Sequence, residues 1–466
     1  MSKTVLAIDI GSTKVCAIIA QINDDETIDI TGTGIVRALG LKKGSITNIE
    51  QASKSIKAAV EDAKRISGSD VISAVVSISG AYTKSLNSTG IVNIQSKEIT
   101  FKDIERVMQT SLYNAKIPQN DYDVLHALPY NFKVDNQDYI EDPLGMNAAR
   151  LEVESHIITT QKSNLNNLKK AVNAAGIEVE SVVLNSYASA IATLNEDEKE
   201  LGAAVIDMGG STSSISIYAG NSIRFNEFLG VGSNHITNDL STALQTPLNY
   251  ADTLKLHYTS LLNPPVNDSV EIPITGNEEA TKEVSLAVVS DIAYARVEET
   301  LMILAHFIEN SGLKELLGAG IVLTGGFSKM DGIRELAGAT FGSMPVRLAK
   351  PKPLAGLFEE VSGPEFASAI GLVMYMSNSY TKYEIDVNKR VRHPNEIPAE
   401  ATAIGNLQSA TAVEQSNIGV VPPVIPPVDH EESTQVFDLD AQKKGMQNTK
   451  EPNVFNKFIN WATQLF

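Results

Sequence analysis

Two short strings in this chain carry the residue types that hold phosphate. Asp9-Ile10-Gly11-Ser12-Thr13-Lys14 ends a strand-like run at 5–9, and Asp207-Met208-Gly209-Gly210-Ser211-Thr212 ends a similar run at 203–207, 198 residues further on. Glycine lets a hairpin backbone take positive φ and approach a phosphate closely, while Ser and Thr hydroxyls and successive N–H groups donate to its oxygens. An Asp cannot touch phosphate directly. Asp9 and Asp207 would instead hold the waters of a Mg²⁺ ion that neutralises phosphate charge, and Lys14 would add a point charge. One such string alone reads as an ordinary hairpin turn. Two in register imply a clamp, with two carboxylates and two sets of N–H groups around one polyphosphate.

A third element, Ile321-Val322-Leu323-Thr324-Gly325-Gly326-Phe327-Ser328, is a strand end opening through two glycines into a helix. There Gly325, Gly326 and Phe327 would let the backbone lie flat against a purine and its ribose. Asp252 and Lys255 are three apart on one helical face and can reach the same ligand, or can form a solvated charge pair. The single cysteine, Cys16, lies in an apolar strand and reads as a core residue. His126 and His156 have no acid–base or metal partner nearby in sequence and are assigned structural roles.

The elements that must position these residues alternate between strand-like and helix-like runs, the pattern of α/β folds. Strands are expected at 5–9, 15–20, 28–36 and 71–78, with a helix at 49–66; strands recur at 203–207, 213–219 and 223–229, with helices at 233–244 and 284–310. The order of the first triplet thus repeats in the second. Near residue 384 the composition changes, and 384–452 reads as a disordered linker containing Val421-Pro422-Pro423-Val424-Ile425-Pro426-Pro427-Val428. The last stretch, 453–466, is amphipathic. At about 100° per residue its apolar side chains, Phe455, Phe458, Ile459, Trp461, Leu465 and Phe466 foremost, fall within an arc of roughly 160°. Beyond a linker such a helix has no core to reach, and its aromatics suit a lipid surface.

With 38 Lys and Arg against 56 Asp and Glu, the net charge of −18 repels polyphosphate backbones, so nucleic acid is not an expected partner. No run approaches the about 18 apolar residues that span a bilayer, and Asp9 interrupts the position of a signal peptide. One cysteine in 466 residues excludes an internal disulfide framework. A cytoplasmic chain of several domains is expected.

Taken in order, the two Asp-led strings and the Gly-Gly turn resemble the actin, Hsp70 and sugar-kinase superfamily over about residues 4–383. Its linking helices are matched by Tyr187-Ala188-Ser189-Ala190 and Ala367-Ser368-Ala369-Ile370-Gly371-Leu372, whose small residues suit a close crossing. Within that superfamily, one stretch resembles the insertion peculiar to the FtsA family of bacterial division proteins. It runs from His126-Ala127-Leu128-Pro129-Tyr130 through Asp142-Pro143-Leu144-Gly145-Met146 to Arg150-Leu151-Glu152-Val153-Glu154. Asn185-Ser186 departs from the family's acidic residue and Pro, and Thr259 from its Gly.

The resemblance implies an α/β, actin-like ATPase fold of two duplicated lobes around a nucleotide cleft. Lobe 1 would comprise 1–83, 162–195 and 364–383; the inserted subdomain 84–161; and lobe 2 residues 196–363, with 233–316 as its outer subdomain. The linker at 384–452 and the membrane-targeting helix at 453–466 would follow. It further implies ATP and Mg²⁺ as ligands, with Asp252 and Lys255 on the ribose and base. The expected role is a cell division protein that polymerises at the septum on the inner face of the cytoplasmic membrane, held to lipid by its C-terminal helix. Family partners would be the tubulin-like protein FtsZ on 233–316, further copies of the chain, and later division proteins on the insert. A small-molecule kinase of the same superfamily is the alternative, but it needs a carboxylate base beside an acceptor pocket, and none can be nominated. A chaperone would need a peptide-binding domain that the tail does not supply. ATP turnover is expected to be slow at most, and the role structural.

Overall fold

The computed structural model describes residues 2–265, 267–342 and 344–393. Strand Lys3–Ile10 (β1) is buried from Val5 onward, as apolar β-branched residues on both faces of a central strand require. It turns back into Lys14–Ile22 (β2), which pairs antiparallel with Ile28–Arg37 (β3). Helix Ile49–Ser67 (α1) starts at Asn48, whose side chain accepts from the Gln51 N–H, and stops at Gly68 in the left-handed region. Its apolar face lies on β3 so closely that a Cβ at Gly34 would sit 1.9 Å from the Ala59 carbonyl oxygen. Strand Ser73–Ile78 (β4) then runs parallel to β1.

An inserted unit follows, made of Thr83–Asn93 (β5), Phe101–Asn114 (α2), Tyr122–Val134 (β6), Gln137–Ile140 (β7) and Arg150–Gln161 (β8). Its antiparallel sheet has the order β5-β8-β6-β7. The chain returns through Lys162–Ala174 (α3), Glu178–Leu184 (β9) and Asn185–Thr193 (α4).

The second half opens with Ala203–Met208 (β10), Ser213–Tyr218 (β11) and Ile223–Leu229 (β12). An outer unit comprises Ser233–Ala243 (α5), Leu248–Tyr258 (α6), the hairpin Ser269–Ile274 (β13) and Asn277–Ser285 (β14), and Leu286–Ser311 (α7). Gly320–Thr324 (β15), Ile333–Thr340 (α8) and Val346–Leu348 (β16) complete it. The sheet order β12-β11-β10-β15-β16 reproduces β3-β2-β1-β4-β9 of the first half, to which only the short strand Ala355–Gly356 is added. The duplication read from the two Asp strings is therefore a duplication of topology.

Helix Ala367–Met376 (α9) is buried along nearly its whole length. It crosses α4 at Gly371, where a Cβ would lie 1.8 Å from the Ala188 carbonyl oxygen. Small residues at this point let two backbones meet, as the sequence suggested.

Three expectations change. The helix expected at 284–310 starts at Leu286, because β14 runs through Ser285, whose hydroxyl then caps the helix. The hairpin of β13 and β14 was not expected: Val270, Ile272 and Ile274 alternate with Ser269, Glu271 and Pro273 along β13, but β14 is largely polar. More consequentially, residues 384–393, expected as the start of the linker, pack against the body. Tyr383, Ile385 and Val391 join the core of the insert, and Glu384 is wholly buried. Charges interleaved with apolar residues looked solvated, but Glu384 finds its partners far back along the chain. The remainder of the expected linker and the terminal helix lie outside the described residues. Among the described residues no helix is long and apolar enough to cross a membrane.

Candidate functional site

The two Asp-led turns are built alike. In the first, Asp9 pairs with Cys16 across the hairpin and the Gly11 N–H donates to the Lys14 carbonyl at 3.0 Å; in the second, Asp207 pairs with Ser214 and the Gly209 N–H donates to the Thr212 carbonyl at 2.8 Å. Both therefore carry a carboxylate as the next-to-last residue of the first strand and turn over the same number of residues between the last paired positions, Ile10 with Val15 and Met208 with Ser213.

The tips meet. A Cβ at Gly210 would lie 1.9 Å from the Thr13 hydroxyl oxygen, so only glycine permits the approach. Behind the second turn, the Ser233 and Asn234 N–H groups at the start of α5 donate to the Gly209 and Gly210 carbonyls at 3.1 and 2.7 Å. Because a trans peptide points its C=O and the next N–H in opposite directions, the Gly210 and Ser211 N–H groups face away from α5. The Asn234 side chain also donates to the Ser211 hydroxyl at 3.1 Å.

Neither carboxylate is left to solvent. The Ser368 hydroxyl on α9 donates to Asp9 at 3.0 Å, and the Ser189 hydroxyl on α4 donates to Asp207 at 2.5 Å. Burial pushes the Asp207 carboxyl up to about 6, against the Ser189 hydrogen bond; the nearby Asp9 adds to the rise and Lys14 opposes it. Lys14 itself donates to the Glu365 carbonyl oxygen, and its ammonium lies 4.4 Å from the Phe366 ring centroid. Two partly desolvated carboxylates thus share one cation that is already engaged. That is an excess of negative charge suited to a divalent cation. Among the described residues no group of three or more His, Cys, Asp or Glu could hold a metal ion.

The Gly-Gly turn reaches the same place. Gly325 has φ 85°, and a Cβ there would lie 2.4 Å from Asp207 Oδ1. The Met208 carbonyl oxygen would lie equally close, at 2.4 Å, so the turn packs against the strand end that carries Asp207. The Phe327 side chain is 3% exposed in the core of the second half, which leaves its backbone, the part expected to face a ligand, at the turn.

Asp252 and Lys255 form a separate cluster. Lys255 donates to Asp252 at 2.6 Å and to the Thr237 hydroxyl at 2.9 Å. Although partial burial works the other way, Lys255 and Thr237 hold the Asp252 carboxyl below its ordinary range, helped by Arg37 from the first half. Cys16, adjacent to the site, is buried, and burial together with Asp9 pushes its thiol up to about 12, so it is not a nucleophile. The membrane-facing candidates Phe455 to Phe466 lie outside the described residues.

Sequence reasoning missed Ser189, Ser368, Thr237 and Asn234 as site residues. The two serines were visible only as small residues in the linking helices, without sign of which carboxylate each serves.

Comparison with known proteins agrees with this architecture. Residues 204–371 match the family model described as cell division protein FtsA, and residues 80–159 match that of the SHS2 domain inserted in FtsA. The chain is 40% identical to the cell division protein FtsA of Helicobacter pylori strain J99, over 84% of this chain and 85% of that protein. It is 37% identical to that of Pseudomonas aeruginosa over 80% and 89%, and 30% identical to that of Escherichia coli K12 over 84% and 94%. Among solved structures, one of a PilM-PilN type IV pilus biogenesis complex aligns with TM-score 0.57 at 15% identity, covering 80% of this chain and 98% of that one. MreB5 of Spiroplasma citri bound to ADP aligns with TM-score 0.50 at 13% identity, covering 82% and 98%. These likenesses show an actin-like fold. With its duplicated lobes, its insert and relatives matched over most of their length, the chain belongs to the FtsA family of actin-like cell division proteins.

Proposed function

We propose that this chain binds Mg-ATP between its two Asp-led turns, polymerises, and tethers an FtsZ ring to the inner face of the cytoplasmic membrane at the septum. The observation that carries the reading is the pairing of Asp9 and Asp207 on duplicated turns, both held by the linking helices, so that one ligand contacts both halves. Asp9 and Asp207 would hold the waters of Mg²⁺, and the Gly210 and Ser211 N–H groups would take phosphate oxygens. The cation's contribution is to neutralise phosphate charge. Thr13 must move off Gly210 for a phosphate to sit between the tips.

A partner such as FtsZ would dock on the outer unit, where exposed apolar side chains are available. Leu248, Tyr250 and Leu256 on α6 are 55%, 46% and 66% exposed. The insert would take later division proteins. The terminal segment has one basic residue, Lys457, so lipid attachment rests on its apolar face and one copy binds weakly. Copies joined in a filament bind far more tightly, because each further anchor inserts at high effective concentration.

Electron microscopy of the full chain on lipid monolayers tests this reading, with and without Mg-ATP. Filaments on lipid are expected with nucleotide. A chain ending at Pro452, or carrying Trp461→Glu, should stay folded and bind ATP yet fail to float with vesicles. If the shortened chain still floats, the anchor is elsewhere. If the protein instead transfers phosphate to small hydroxyl compounds, the kinase alternative holds.

A further inference from the structure

The two linking helices do more than cross. Each carries a serine whose hydroxyl donates to the carboxylate of one turn: Ser189 to Asp207 at 2.5 Å and Ser368 to Asp9 at 3.0 Å. The pairing is crosswise in sequence and symmetric in space, since α4 lies under β10 and α9 under β1. Ser189 follows Ala188 directly, and Ser368 lies one helical turn before Gly371, so both hydroxyls stand next to the point where Ala188 and Gly371 touch. The serines are 0% and 7% exposed. Their hydroxyls have no water to turn to, and each carboxylate is thereby fixed by one oxygen.

A carboxylate so fixed presents its second oxygen in one direction. Partners of a metal's own ligands typically change its affinity by about 10–100-fold when removed, and because Asp9 and Asp207 would reach the cation through its waters, the low end of that range is expected for groups that orient them. Given the Mg²⁺-nucleotide site proposed above, on which this rests, the geometry points to Ser189 and Ser368 as positioning residues that aim Asp207 and Asp9 at the cation. They also tie its presence to the helix crossing. A cation that draws both carboxylates inward pulls on two hydroxyls, one on each helix. The pull then reaches the crossing of α4 and α9 at Ala188 and Gly371.

The test is ATP affinity of the full chain by calorimetry, once in Mg²⁺ and once in EDTA, for the parent, Ser189→Ala, Ser368→Ala and Asp207→Asn. The quantity read is the ratio of the two affinities. Each serine variant should lower that ratio by about tenfold while leaving affinity in EDTA within about twofold. Thermal unfolding without ligand shows that each variant is folded. Hydrogen exchange across 187–190 and 367–371 should slow on adding Mg-ATP in the parent and respond less in the serine variants. Equal losses in Mg²⁺ and EDTA would mean that the serines only support the fold, and an unchanged ratio would mean that they do not aim the carboxylates; either overturns the inference. Loss of the ratio in Asp207→Asn alone would leave the nucleotide reading standing and remove this one. If Asp207→Asn also keeps the parent ratio, the Mg²⁺ site itself is wrong and the inference falls with it.

Discussion

Asp207 and Glu384 both lie against helix α4, yet the fold supplies them very differently. Glu384 is wholly buried and receives the Tyr187 hydroxyl at 2.9 Å and the Tyr375 hydroxyl at 2.8 Å, with His126 Nδ1 at 2.7 Å. The Arg392 guanidinium stacks 4.0 Å from the Tyr375 ring centroid, close enough to feel the Glu384 charge. Asp207 has one hydroxyl donor, a like charge in Asp9, and a lysine already engaged elsewhere. A buried carboxylate with its lone pairs filled is a tie: it fastens residues 383–393 to the insert through His126 and to both linking helices through Tyr187 and Tyr375. A carboxylate short of donors at the meeting of two glycine turns would, on the reading proposed above, be a place for a cation. Glu384 is wholly buried and Asp207 half-buried, and the supply of donors widens that difference.

The sharpest way to break this contrast is Glu384→Ala. Three partners would be left facing one another without their acceptor, and the cost should be about 3–5 kcal/mol in urea unfolding. Glu384→Gln keeps the shape and one acceptor and should recover part of that. A loss below about 1 kcal/mol for the alanine variant would mean that the cluster is not a tie.

Asp207→Asn should act in the opposite direction. A carboxyl raised to about 6 in the folded chain binds more protons there than in the unfolded chain. Its effect is therefore absent below the unfolded value near pH 4 and grows as pH rises through 6, reaching at most about 3 kcal/mol of destabilisation. The asparagine variant, without ligand, should gain stability at pH 7 and nothing at pH 3.5. His156 supplies the counterweight. It joins Asn87 and Asn226 at 2.7 and 2.8 Å, linking the insert to β12, and burial lowers it to about 4 against the Asn226 hydrogen bond. Here the unfolded chain binds more protons, so up to about 3 kcal/mol of stability is present above the unfolded value near 6.5 and lost as pH falls through 4. The two slopes oppose each other between pH 4 and 6. Across that window stability should rise with pH more steeply in Asp207→Asn than in the parent.

The smallest effect belongs to Lys255→Met. Asp252 keeps a side chain that is 48% exposed and can turn to water when its partner is removed. Stability without ligand should change by no more than about 1 kcal/mol. A loss as large as that of Glu384→Ala would show that exposure does not relieve a carboxylate here.

The sequence by itself determined the parts whose causes are local. The turns after Asp9 and Asp207 follow from a few adjacent residues, α1 from its apolar spacing and its caps, and the insert from one long stretch. Their repetition in the same order was enough to expect two equivalent lobes. Only the tertiary structure decided which groups complete each carboxylate. Ser189 lies 18 residues from Asp207, but Ser368 lies 359 from Asp9 and Glu384 lies 258 from His126. Serines in a small-residue helix and a Glu among alternating apolar residues look like packing and linker until the chain folds back on them. Local patterns encode turns, faces and periods because those energies depend on near neighbours, whereas the pairing of a buried charge depends on whatever the fold brings within about 3 Å of it.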